Sequence, residues 1–79
     1  MKVAIKIMRQ ENSVQRVYLS EIEDAHSSKE VLTEVNRGRQ AVGNYNESIV
    51  MRCGDDQNFF NLKSKAEIIG WIDERLKKK

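Results

Sequence analysis

Catalysis needs a nucleophile, a general base or a metal held by several donors, and this chain supplies few of each. His26 is the single histidine and Cys53 the single cysteine. A thiol–imidazole pair therefore requires the fold to join those two positions. Cys53 alternates in phase with Ile49 and Met51, which marks it as a small buried filler. A zinc site usually takes four Cys, His or carboxylate ligands, and one histidine with one cysteine cannot build the common sets. Asp55 and Asp56 are adjacent, without the alternating ligands and distal glutamate of a calcium loop. Gly38, Gly43, Gly54 and Gly70 are scattered, so no glycine loop cradles a phosphate. No carboxylate pair stands out by its spacing. The expectation is a protein without catalytic residues, cofactor or metal.

The elements that would position any site follow a repeated local pattern. Ser27-Ser28-Lys29-Glu30 and Ser64-Lys65-Ala66-Glu67 both read S-x-x-E before an aliphatic pair, the capping-box signature of a helix start. Val35 and Ile72 extend the match at the same offset. Ahead of the first box, Val3, Ile5 and Ile7 alternate with Lys2, Ala4, Lys6 and Met8, which predicts a half-buried strand. A polar turn at residues 10–13 and renewed alternation over 14–20 predict a hairpin, with Val17 and Leu19 inward and Arg16 and Tyr18 outward. Residues 21–26 are either more strand or a loop. The first helix is expected to stop at Gly38 or Gly43, where glycine takes a left-handed cap cheaply. Asn44-Tyr45-Asn46 reads as a loop. A second hairpin turns at Gly54-Asp55-Asp56 and closes over Phe59 to Leu62. The second helix carries Ala66, Ile68, Ile69, Ile72 and Leu76 on its apolar face, with Lys77-Lys78-Lys79 at the negative end of its dipole.

These elements predict an α+β fold, ββαββα, with a four-stranded antiparallel sheet and both helices on one face. Residues 1–79 form a single domain. Its halves, 2–40 and 47–79, are either a ββα duplication or a convergence, since S-x-x-E starts many helices. With 39% hydrophobic and 6% aromatic residues, against roughly 45–50% apolar in ordinary usage, the core is thin for a chain of this size. Burial against a partner or a second copy is a natural remedy. Charges balance closely, 14 basic against 12 acidic, weaker than the imbalance usual in dedicated DNA binders. A single cysteine excludes an internal disulfide and fits a reducing compartment. The N-terminal residues lack a signal peptide's apolar stretch, and no run approaches the roughly 18 apolar residues of a membrane span. A cytoplasmic protein without membrane contact is expected.

Surface residues offer more than catalytic ones. The sheet face away from the helices is expected to carry Lys6, Met8, Arg16, Tyr18, Val50, Arg52 and Phe59. Met8, Tyr18, Val50 and Phe59 suit a protein interface or a homodimer, the latter joined through this face or by edge strands. Lys6, Arg16 and Arg52 with Tyr18 and Phe59 suit a platform for single-strand nucleic acid. An ordinary solvated face is the third reading. Trp71 falls off the apolar stripe of its helix beside Glu67 and Glu74, as an interface anchor or as a lid on the core. The passage from Phe60 to Glu67, with Trp71, is similar to the hairpin-to-helix junction of phage-type integrase arm-binding domains; no DNA-contact position carries over from it. The expected function is a small non-enzymatic protein-binding module. An adaptor, or a phage or mobile-element inhibitor that occludes host machinery such as a defence system, fits that description. The alternative is a single-strand nucleic-acid-binding domain.

Overall fold

The computed structural model describes residues 1–43, 47–61 and 65–77. Its elements are β1 (Val3–Glu11), β2 (Val14–Ile22), α1 (Ser28–Val42), β3 (Glu47–Cys53), β4 (Asp56–Phe60) and α2 (Lys65–Lys77). All strand pairings are antiparallel and the sheet order is β2-β1-β3-β4. The ββαββα architecture read from the sequence is therefore the fold. Val3, Ile5 and Ile7 sit opposite Cys53, Met51 and Ile49 in the two central strands. All six are buried beneath Val31, Val35, Ile68 and Ile72 of the helices. Leu62, Ser64, Lys78, Lys79 and the 44–46 loop lie outside the described residues, so the second capping box does too.

The second strand differs from its predicted phase. Asn12 and Ser13 make a two-residue turn, with Asn12 at φ 57°, the positive value that primed hairpin turns require. A turn with an even number of residues pairs odd positions of β1 with even positions of β2. Ile5 faces Ser20, Ile7 faces Tyr18, and Val3 faces Ile22. Because β1 commits its odd positions to the core, β2 must turn Tyr18, Ser20 and Ile22 to the helices. Val17 and Leu19 then emerge on the open side, 46% and 71% exposed. Side-chain period is two, so one register choice moves the whole set across the sheet. Arg16 and Tyr18 are accordingly on the helix side, opposite to the expected face.

Several local choices follow from close packing. Gly38 is inside α1, not at its end. A Cβ there would lie 2.5 Å from Ile7 Cδ1 and 2.6 Å from Tyr18 Cδ2, so the missing side chain lets the helix approach the sheet. The helix stops at Gly43, whose φ of 91° suits glycine. Arg9 Nη1 donates to the Val42 carbonyl at 3.0 Å and satisfies one terminal acceptor. At the other end Ser27 occupies the N-cap without a side-chain bond. Glu30 reaches past it to accept from the His26 N–H at 3.4 Å, so neither bond of the predicted box forms and the carboxylate caps the residue before it instead. Residues 21–26 divide: strand through Ile22, then a turn that buries Ala25, whose N–H donates to the Met1 carbonyl at 2.7 Å. In α2, Ala66 is exposed, while Trp71 and Leu76 pack beside the fully buried Ile68 and Ile72.

Candidate functional site

The helix-free side of the sheet presents three rows of side chains across neighbouring strands. Leu19, Lys6, Val50 and Phe59 form the central row. Val17, Met8 and Ser48 flank it on one side, and Glu21, Ala4, Arg52 and Gln57 on the other. Leu19 is 71% and Phe59 56% exposed, while Met8 and Val50 are half-buried. Ala4 contributes only a methyl group between longer neighbours. A shallow depression of about 480 Å³ results, with Lys6, Leu19, Glu21, Val50 and Arg52 around Ala4.

Charge on this face is unequally compensated. Glu21 Oε1 lies 3.4 Å from Lys2 Nζ, and both are exposed. Arg52 Nε donates to the Gly54 carbonyl at 3.1 Å. Among the described residues neither Lys6 nor Arg52 forms an ion pair. The face therefore combines apolar groups with two unpaired cations. Of the residues expected here, Lys6, Met8, Val50, Arg52 and Phe59 are present; Arg16 and Tyr18 are replaced by Val17 and Leu19. The parity of the Asn12-Ser13 turn was the signal that would have placed those two aliphatic residues outward.

Tyr18 has a structural assignment instead. Its hydroxyl donates to Glu34 Oε2 at 3.3 Å, and Ser20 Oγ donates to the same oxygen at 2.7 Å. Arg37 Nη1 holds the other oxygen at 3.0 Å. This cluster fastens α1 to β2.

Trp71 is also built into the fold. Its ring meets Phe60 edge-on, with centroids 5.9 Å apart and planes at 78°. The Arg75 guanidinium lies 4.0 Å over the ring centroid, and Arg75 Nη1 donates to the Trp71 carbonyl at 3.1 Å. Arg75 Nε is 3.4 Å from Asp56 Oδ2 and ties α2 to the start of β4. Glu67 and Glu74 are exposed around this assembly, and Glu74 is 3.8 Å from Arg75. Trp71 thus closes one end of the core rather than lying off the apolar stripe.

The two candidate reactive residues occupy different environments. Cys53 is buried on the helix side of β3. Burial pushes its thiol above the usual cysteine range, an effect opposed by Arg75 and reinforced by Asp56. His26 is exposed, with Nε2 3.2 Å from Asp24. Among the described residues no group of three or more His, Cys, Asp and Glu side chains gathers where a metal ion could be held, and no helix is long and apolar enough to cross a membrane. No family model matches the chain, and comparison with curated proteins and with solved structures yields no match.

Proposed function

We propose that this protein is a small protein-binding module that acts by covering a partner's surface with its open sheet face. The observation that carries this reading is the exposed Leu19 and Phe59 at the two ends of the central row, with half-buried Val50 and Met8 and exposed Val17 beside them. Exposed apolar side chains gathered on one face, here with Lys6 set among them, mark an interaction site. Lys6 within the row and Arg52 beside it favour a partner patch with apolar groups and carboxylates. Occlusion of this kind needs no catalytic group and is how small inhibitors and adaptors work, including phage or mobile-element proteins directed at host defence; size and surface support that role by analogy.

Capture from the native host, comparing the wild type with Leu19→Asp and Phe59→Asp, tests the reading. Both positions are exposed, so stability should change by only about 0.5 kcal/mol. A specific partner should be retained by the wild type and bind each variant at least about 10-fold more weakly, the equivalent of 1.4 kcal/mol. A partner held equally by all three would show that it docks elsewhere. The single-strand nucleic-acid reading keeps Lys6, Arg52 and Phe59 on the face but loses Arg16 and Tyr18. One exposed ring is a poor platform for successive bases, which places that reading second. Tight, salt-sensitive binding to short single strands that depends on Phe59 would reverse the order.

A further inference from the structure

We propose that the free edge of β2 pairs with the same edge of a second copy of this chain, producing a two-fold dimer with one continuous sheet. This goes beyond the docking reading and does not depend on it. The two edges of the sheet are unlike. The β4 edge has five residues, begins Asp56-Gln57-Asn58, and is braced by Arg75 through Asp56. The β2 edge has nine residues, no proline, and an unbroken register against β1 from Val14 to Ile22. Short length, polar residues and bulges are the devices that keep edge strands from pairing. The β2 edge lacks a short length and a bulge, and its open side carries Val17 and Leu19.

The hairpin decides which groups are available. A two-residue turn makes Glu11 and Val14 the closing hydrogen-bonded pair. Alternation along an antiparallel ladder then directs the even residues of β2 to β1 and the N–H and C=O of Gln15, Val17, Leu19 and Glu21 outward. Pairing over the whole strand centres the two-fold axis on Tyr18. It sets Val17 opposite Leu19 of the second copy, and Gln15 opposite its Glu21. On the helix side Arg16 faces Ser20 of the second copy, whose hydroxyl is bonded to Glu34. Arg16, which forms no ion pair among the described residues of its own chain, thereby gains a carboxylate neighbour. Directly opposed like charges are absent. Face-to-face association would instead set the cationic Lys6 and Arg52 surface against itself. Edge pairing also joins the central row, from Phe59 to Leu19, to Val17 and Met8 of the second copy, which enlarges the open face.

Sedimentation and light scattering from micromolar to millimolar concentration provide the test, with charge pairs that report the register. The wild type should approach twice the 9.2 kDa chain mass. Val17→Glu with Leu19→Glu puts like charges opposite one another and should remain monomeric at least 10-fold higher in concentration. Val17→Lys with Leu19→Glu puts opposite charges together and should dimerise like the wild type. A monomeric wild type at every concentration, or two double variants that behave alike, overturns the proposal. Amide exchange on the wild type requires no substitution: Val17 and Leu19 amides should become protected as concentration rises. Unchanged exchange at those positions would equally overturn it.

Discussion

Replacing Trp71 with alanine distinguishes a residue that holds the fold from one that awaits a partner. The ring is half-buried, stands edge-on to Phe60 and lies beneath the Arg75 guanidinium. A fully buried aromatic removes about 150–250 Å² from water, and at roughly 25 cal/mol per Å² half of that stabilises by about 2–3 kcal/mol. The edge-on pair adds about 0.5–1.5 kcal/mol. A cation over an indole face contributes about 0.5–1 kcal/mol at an exposed site, and somewhat more as it is desolvated. Trp71→Ala should therefore cost about 3–5.5 kcal/mol. A domain of this length is stable by only about 4–12 kcal/mol, so a large part of the margin disappears. At about 4–8 °C per kcal/mol, Tm should fall by at least 12 °C. Urea unfolding followed by far-ultraviolet circular dichroism measures the loss without relying on the deleted fluorophore. The wild-type emission should be blue-shifted and protected from quenchers. A variant within about 1 kcal/mol of the wild type, together with red-shifted, easily quenched wild-type emission, would refute the reasoning and return Trp71 to the role of a surface anchor.

Gly38→Ala should destabilise although alanine favours helix by about 1 kcal/mol, because its methyl group meets Ile7 and Tyr18 and overpacking costs about 1–3 kcal/mol; an increase in Tm would show that the helix shifts without penalty. Cys53→Ser should be worse than Cys53→Ala, since it buries a hydroxyl that needs a bonding partner, and thermal denaturation of both variants reads the difference. Burial raises the Cys53 pKa, so the folded state disfavours the thiolate. Stability from this group is present below the ordinary cysteine pKa and declines as pH rises through the raised value. Thiol labelling of the native protein should accordingly be slow near neutral pH, and rapid labelling there would contradict a buried, neutral thiol.

Much of the fold was legible because it rests on local chemistry. Alternation in residues 3–7 and 49–53, and the turns that punctuate the hairpins, specify strand positions within a few residues, and S-x-x-E with the following aliphatic positions announces each helix. The phase of β2 was not legible from alternation alone, because Val17 and Leu19 are as apolar as the residues that a core would take. Turn parity overrode them: Asn12-Ser13 pairs Ile7 with Tyr18, and the buried odd face of β1 left no alternative. Gly38 likewise carries no mark in the sequence that separates a helix stop from a contact surface. Only the approach of α1 to Ile7 and Tyr18 made it the latter. Between the two readings of Trp71, anchor or lid, a helical wheel could not choose, since it knows nothing of Phe60 from the neighbouring strand. Residue type and spacing determined which segments became strands and helices. Long-range pairing and the closeness of two packed layers determined which faces they bury, and hence which residues remain exposed to meet another molecule.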